Sequence, residues 1–261
     1  MKRKTAVSFL LAGFVMVSIA YAGESISFKG TSKTGDEFVL KGVLKKPSGQ
    51  GPFPAIVMLS GGKGWESGKE TTEAWNKWVE RFNKWGYVAL QVETLESRSV
   101  SWFIDANVSP RDAAQDAHDA KSYLSGLPYV DGKRVFLIGW FFGGWAVPYA
   151  IDPSTPIRNR GSPFRAAIAF DPLCDQPLMG FGSPLLILHG ELDDWHPVAR
   201  CRIIEGRSEH EVILKIYPGA YMAFDLEGVD TTERGHRLLY NPAAAADAFE
   251  QVKNFLLKYA K

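Results

Sequence analysis

The sequence lacks a charge excess of either sign. It contains 30 Lys and Arg against 29 Asp and Glu, which gives a formal net charge of +1. Three of the basic residues and none of the acidic ones fall within residues 1–22, so the rest of the chain carries a net charge of −2. Such a balance gives no reason to expect nucleic acid or an anionic membrane surface as a partner. We predict neither.

Long apolar runs are missing everywhere except at the amino terminus. There, three basic residues precede an apolar stretch over residues 6–19, which ends in Ala20-Tyr21-Ala22. A short apolar core between basic residues and small residues is typical of a cleaved secretory signal, and it is too short for a stable membrane span. We therefore predict a signal peptide over 1–22, a single domain over 23–261 and export to the periplasm or the medium. The alternative is an amino-terminal anchor.

Cysteine is scarce, because Cys174 and Cys201 are the only two in the chain. The close Cys and His spacing of structural zinc sites is absent, and we predict neither a metal nor another cofactor. Two cysteines in an exported chain are most simply explained by a disulfide between them.

Most apolar residues occur in short continuous runs that alternate with helix-like segments. Such runs are typical of strands buried on both faces, and their alternation with helices predicts a mostly parallel sheet with helices on both faces. Two alternating segments, at 26–28 and 38–44, predict antiparallel strands before it. The buried strands are predicted at 55–59, 87–92, 135–138, 166–170, 185–188 and 212–217, and the helices at 72–85, 110–127, from about 143, and at 243–259.

The segment over 134–144, RVFLIGWFFGG, lacks a nucleophile where its pattern predicts one. A buried strand followed by a sharp turn and a helix has the form of a nucleophile elbow, in which small residues flank the turn. Gly139 and Gly143 occupy those flanking positions. Phe141 occupies the position of the attacking residue, and neither Phe141 nor Phe142 carries an oxygen or sulfur that could attack a carbonyl.

Three further loops follow predicted strands and should meet the elbow at the carboxyl edge of the sheet. They cover residues 60–65, 189–197 and 217–225. With these loops, the segments 128–131 and 235–237, and its cysteine pair, the chain resembles the dienelactone hydrolase family of the α/β-hydrolase fold. The resemblance covers nearly all of residues 23–261 and implies that fold.

The resemblance also implies roles for single residues. The family's nucleophile, acid and base fall on Phe141, Asp193 and Met222, so that only the acid is retained. The oxyanion amides would be that of Phe142 and one from the Ser60-Gly61 turn. His196, three residues after Asp193, is the one plausible substitute base. The paired Cys174 and Cys201 resemble a cysteine pair found in exported members.

These residues leave three functions open. The first is an impaired or inactive hydrolase, with Phe141 against Met222, that binds a small acid or ester-like ligand. The second is an active carboxylic-ester or lactone hydrolase that uses Ser60, or water activated by His196. The third is a partner-binding module whose rim offers aromatic area from three tryptophans, Trp65, Trp102 and Trp195. The sequence gives no indication of the oligomeric state.

Overall fold

A computed structural model describes residues 23–61, 69–102, 107–174, 180–204 and 208–261. The predicted signal peptide, Trp65 and residues 62–64 of the first loop therefore lie outside the described residues. Over the described ranges, no helix has both the length and the apolar character that a membrane span requires.

The centre of the fold is an eight-stranded sheet with the order β1-β2-β4-β3-β5-β6-β7-β8. The pairs β1/β2 and β2/β4 are antiparallel, and all the other pairs are parallel. The predicted strands are thus confirmed. Their bounds are β1 Glu24–Thr31, β2 Glu37–Lys45, β3 Phe53–Leu59, β4 Val88–Val92, β5 Val130–Trp140, β6 Ala167–Phe170, β7 Leu185–Gly190 and β8 Val212–Tyr217.

Among the described residues, four α-helices cover the sheet, close to their predicted positions. They are α1 Lys69–Lys84, α2 Pro110–Ser125, α3 Phe142–Ile151 and α4 Pro242–Tyr259. Helix α2 begins at a capping box, because the Ser109 hydroxyl accepts from the Asp112 amide while the Asp112 carboxylate accepts from the Ser109 amide. Helices α2 and α3 pack on each other, and Trp78 of α1 contacts Phe249 of α4. The sequence pattern and the topology together define an α/β-hydrolase fold.

A hairpin near the carboxyl terminus was not predicted. Strands β9 (Asp230–Glu233) and β10 (His236–Leu239) pair antiparallel across Arg234 and Gly235, both of which have positive φ. His236, which belongs to the segment 235–237 that supports the family resemblance, begins β10. The hairpin is short and half-exposed, so its sequence shows no clear apolar alternation.

A disulfide joins Cys174 and Cys201, which confirms the predicted pairing. Cys174 lies shortly after β6, and Cys201 lies in a 3-10 helix, Val198–Ile203, that follows β7. The bond therefore ties together two loops at the carboxyl edge of the sheet, where the predicted site lies.

Candidate active site

The turn between β5 and α3 has the strained backbone of an elbow. Phe141 has φ 46° and ψ −110°, a conformation that costs a residue with a side chain about 1–3 kcal/mol. The flanking glycines are required by close packing. A Cβ on Gly139 would lie 2.3 Å from the carbonyl oxygen of Gly143, and a Cβ on Gly143 would lie 2.3 Å from that of Leu59. The elbow geometry is therefore built into the chain although its central residue is phenylalanine.

The Phe141 ring is buried and packs against the loop that follows β7. It stacks on the imidazole of His196, with 4.8 Å between ring centroids and 13° between planes. It also makes an edge contact with Trp195, at 4.9 Å between centroids. The side chain at the elbow is thus held in an aromatic cluster, with 3% of its surface exposed.

The loops after the buried strands converge, as their sequence positions predicted. The Gly143 amide donates to the Ser60 carbonyl at 3.0 Å, which joins the elbow to the loop after β3. The Leu192 amide donates to the Ala220 carbonyl at 2.8 Å, which joins the loops after β7 and β8. These backbone bonds hold the candidate site together at the carboxyl edge of the sheet.

Asp193 is buried, and its two carboxylate oxygens differ in their surroundings. Oδ1 accepts from the backbone amides of Trp195 and His196, both at 2.9 Å. Oδ2 is buried without a hydrogen-bond partner among the described residues. Burial, and then the neighbouring Asp171 carboxyl, raise the pKa of Asp193 to about 7. The carboxylate of Asp193, the predicted acid, is thus oriented by the backbone, and its Oδ2 has no hydrogen bond among the described residues.

Two further residues lie beside Asp193: Asp171, which the sequence analysis did not single out, and His189, which begins the loop predicted over 189–197. Asp171 follows β6 at a positive φ of 43°, and its carboxylate accepts from the amides of Gly190 at 2.9 Å and Ala223 at 3.1 Å. Burial raises its pKa to about 8. His189, in β7, is fully buried, and its Nδ1 donates to the Gly190 carbonyl at 3.0 Å. Burial lowers the pKa of this imidazole. The position of Asp171 directly after a buried strand was the available signal.

His196, the predicted substitute base, is also buried. Its Nδ1 lies 2.7 Å from the carbonyl oxygen of Asp171, so this nitrogen carries the proton and donates it. Burial lowers its pKa to about 4, which leaves the ring neutral at pH 7. This neutral imidazole packs its face on the Phe141 ring and so forms part of the aromatic cluster. Its role as a base stays a prediction.

The remaining predicted residues occupy neighbouring backbone positions. Met222 is buried and pairs through its backbone with β10, since its carbonyl accepts from the Leu239 amide at 3.1 Å. Phe142 is the first residue of α3, where the amides of a helix point outward from its end. Ser60 is half-buried and Gly61 is buried. The side-chain contact between Phe141 and Met222 stays a prediction.

Aromatic rings continue from the elbow towards the surface. Trp195 stacks on His236 of the unpredicted hairpin, with 4.6 Å between centroids. Trp102 also stacks on Trp195, with 6.3 Å between the two ring centroids. The guanidinium of Arg234 lies over the Trp102 ring at 4.5 Å. The rim predicted from Trp102 and Trp195 therefore includes His236 and Arg234 as well.

Comparison with known proteins finds a similar sequence and similar folds. The chain is 28% identical over 235 residues to a Synechocystis sp. protein provisionally named carboxymethylenebutenolidase, which covers 82% of this chain and 89% of that protein. Among solved structures, esterase 2 of Thermogutta terrifontis superimposes with a TM-score of 0.68 at 21% identity, over 91% of this chain and 92% of the other. A Klebsiella pneumoniae protein provisionally named dienelactone hydrolase gives a TM-score of 0.64 at 16% identity, over 91% and 100%.

The fold and the convergent loops place the protein in the class of α/β-hydrolase proteins. Residues 40–260 match the dienelactone hydrolase family. The chain belongs to that family.

Proposed function

We propose that this chain is a family member with little or no ester-hydrolysing activity. It binds a small carboxylate or ester-like ligand at the position of the family's active site. The observation that carries the proposal is Phe141 at the strained elbow. Its ring has no atom that can attack a carbonyl, and it packs on His196 instead of presenting a hydroxyl or thiol.

The acid of the site supports the loss of a working triad. In a triad the carboxylate accepts a hydrogen bond from the imidazole of the base. Here Asp193 Oδ2 has no partner within the described part of the chain, and the residue at the base position is Met222. A nucleophile and a base are therefore both replaced by apolar side chains.

Ligand binding needs hydrogen-bond donors but neither a nucleophile nor a base. The backbone at the start of α3 and in the Ser60-Gly61 turn does not depend on a nucleophilic side chain at residue 141, and the family resemblance assigns the oxyanion amides to Phe142 and to this turn. The solved structures of Thermogutta terrifontis esterase 2 include one with propionate bound. A short-chain carboxylate is accordingly the first ligand class to test.

Export is part of the same proposal. The disulfide points to a location outside the cytoplasm, where such bonds persist. The amino-terminal sequence supports secretion through a cleaved signal. Mass spectrometry of the mature chain tests this, since cleavage after Ala22 leaves Gly23 as the first residue.

The test combines binding with turnover on the mature protein. Calorimetric titration with propionate and longer carboxylates should show saturable binding, and the same protein should not hydrolyse a panel of short acyl esters and lactones above a heat-denatured control. Replacing Trp195 by alanine, which opens the rim beside Phe141, should change carboxylate affinity. Ester turnover by the unmodified chain would instead favour the hydrolase alternative through Ser60 or His196. Absence of both binding and turnover would favour the partner-binding module.

A further inference from the structure

Three buried side chains at the ends of β6 and β7 form a compact group of possible metal ligands. They are Asp171, His189 and Asp193, each of which offers one ligand atom, and these atoms lie within 4.8 Å of one another. All three side chains are almost completely excluded from solvent, at 2%, 0% and 4% exposure. The group was invisible to a search for cysteine and histidine spacing, because its members come from the ends of two different strands.

Two atoms of this group lack hydrogen bonds. Asp193 Oδ2 and His189 Nε2 are buried and have no partner among the residues that the structure describes. His189 Nδ1 lies 3.0 Å from the Gly190 carbonyl oxygen and 3.6 Å from Asp171 Oδ1, so this ring lies directly beside the Asp171 carboxylate. Carboxylate oxygens and imidazole nitrogens are both common metal ligands, and a buried polar atom without a partner costs free energy.

The spacing suits one small cation. Points within 4.8 Å of one another lie within about 2.8 Å of a common centre, and zinc bonds to oxygen and nitrogen are about 2.0–2.2 Å long. Each ligand atom would therefore need to move by less than about 1 Å. The backbone amides that hold Asp171 and Asp193, and the carbonyl that holds His189, are the supporting hydrogen bonds that metal ligands generally have.

Charge also favours a divalent cation. Two carboxylates and one neutral imidazole around a doubly charged ion give a neutral cluster, which a dry interior tolerates better than isolated charges. Within the described ranges no lysine or arginine forms a salt bridge with Asp171 or Asp193, and the basic group beside Asp171 is His189, with its Nδ1 3.6 Å from Oδ1. A mixed oxygen and nitrogen donor set favours Zn²⁺ over Mg²⁺, which prefers oxygen ligands and retains water.

We propose that Asp171, His189 and Asp193 form a buried binding site for a divalent cation of the zinc class. The site would tie the end of β6 to the loop after β7, next to the disulfide that joins the same two regions. This proposal does not depend on whether the protein binds a carboxylate at the elbow.

The test measures metal content after refolding, since the site has no exposed ligand. The mature chain, with its disulfide intact, is unfolded in urea and refolded with Zn²⁺, with Mg²⁺ or with a chelator, and is then freed of loose metal by gel filtration. We expect one zinc per chain by elemental mass spectrometry and no retained magnesium. With zinc about a hundredfold above its Kd, Tm should rise by about 5–10 °C over the chelator sample.

Matched variants make the result specific. Asp171→Asn and Asp193→Asn should each lose the zinc and the Tm rise, whereas Asp225→Asn should keep both. Asp225 is an apt control because it is equally buried and also has an unpartnered oxygen, yet it lies outside the group. His236→Gln removes the exposed pair with Asp194 and should not change the zinc content.

Folding of each variant is checked by far-ultraviolet circular dichroism, and His189→Gln replaces any aspartate variant that fails to fold. Two results would overturn the proposal. One is wild-type protein that retains less than about a tenth of an equivalent of zinc at saturating supply. The other is folded Asp171→Asn and Asp193→Asn variants that retain as much zinc as the wild type.

Discussion

Phe141 and His196 stack face to face, 4.8 Å apart and within 13° of parallel. This pair joins the elbow to the loop that carries Asp193, the predicted acid. Both rings are buried, and offset ring stacking contributes about 0.5–1.5 kcal/mol beyond the apolar area that it removes from water. The contact stabilises a side chain that the elbow otherwise holds under backbone strain. In this protein the elbow contributes to packing.

The retained parts of the site should support catalysis once the missing groups return. Phe141→Ser together with Met222→His should produce measurable ester hydrolysis, because the elbow turn and Asp193 persist. Each single variant should be slower by at least about tenfold, because serine without a base is a poor nucleophile and residues of a triad act as a unit. Initial rates on a short acyl ester measure this.

The matched control for that experiment is the addition of Asp193→Asn to the double variant. It should remove most of the regained rate, because an amide at this position orients the wrong imidazole tautomer. A folded double variant that remains inert would show that the scaffold has diverged beyond rescue. A rate unaffected by Asp193→Asn would show that the acid has no part in it.

Gly139 should not tolerate a side chain. Gly139→Ala places a Cβ 2.3 Å from the Gly143 carbonyl oxygen, so the strand or the helix must shift, at a cost of about 1–3 kcal/mol. Gly161→Ala is the matched control, since a Cβ there meets nothing within 4 Å. Urea denaturation should show a lower midpoint for the first variant and little change for the second. Equal midpoints would contradict the packing described at the elbow.

His118 should make the fold sensitive to acid. Burial lowers its pKa from 6.5 to about 4, against the effect of a hydrogen bond to the Ala150 carbonyl, and the nearby Arg160 and Lys121 lower it further. The unfolded chain therefore binds a proton below pH 6.5 that the folded chain takes up only near pH 4. The stability present above pH 6.5 is lost as the pH falls through this window, by about 3 kcal/mol for this residue.

The variant His118→Gln isolates that contribution, because its amide can still donate to the carbonyl without titrating. Buried carboxyls with raised pKa values, such as those of Asp119 and Asp225, act in the opposite direction over the same range. The free energy of unfolding of the wild type should therefore decrease more steeply from pH 6.5 to pH 4 than that of the variant. Parallel curves would show that His118 does not titrate as described.

The disulfide should contribute strongly to stability. It closes a loop with a sequence separation of 27, for which chain-entropy estimates give about 3–4 kcal/mol. Replacing both cysteines by alanine (Cys174→Ala with Cys201→Ala), or reducing the wild type, should lower the free energy of unfolding by this amount. Urea denaturation measures it. If the double variant and the oxidised wild type unfold at the same concentration, the bond adds nothing to the folded state.

The sheet could be predicted from sequence because each of its buried strands is a continuous apolar run, as in residues 185–188. The elbow could be predicted because glycines are required at 139 and 143, where any Cβ would collide with the backbone. These features are local, and local patterns record them.

The rest depends on contacts between distant segments. Nothing near His236 indicates that it begins a strand and stacks on Trp195, because the partner lies on another loop. Asp171 and His189 likewise come together only when β6 and β7 pair in parallel. The residues next to a side chain in the sequence do not show which residues lie beside it across a sheet. The group of Asp171, His189 and Asp193 and the extended aromatic rim could therefore be found only from the structure.

The central claim is that the elbow carries no working nucleophile. The direct measurement is intact-mass analysis of the mature protein after incubation with the organophosphate paraoxon, with Thermogutta terrifontis esterase 2, which has been solved in a form phosphorylated by paraoxon, as the positive control. The account predicts that the esterase gains the diethylphosphoryl mass while this chain keeps its original mass, since Phe141 offers no oxygen to phosphorylate. A stoichiometric adduct on this chain, mapped by peptide sequencing to Ser60 or to another residue of the converging loops, would contradict it.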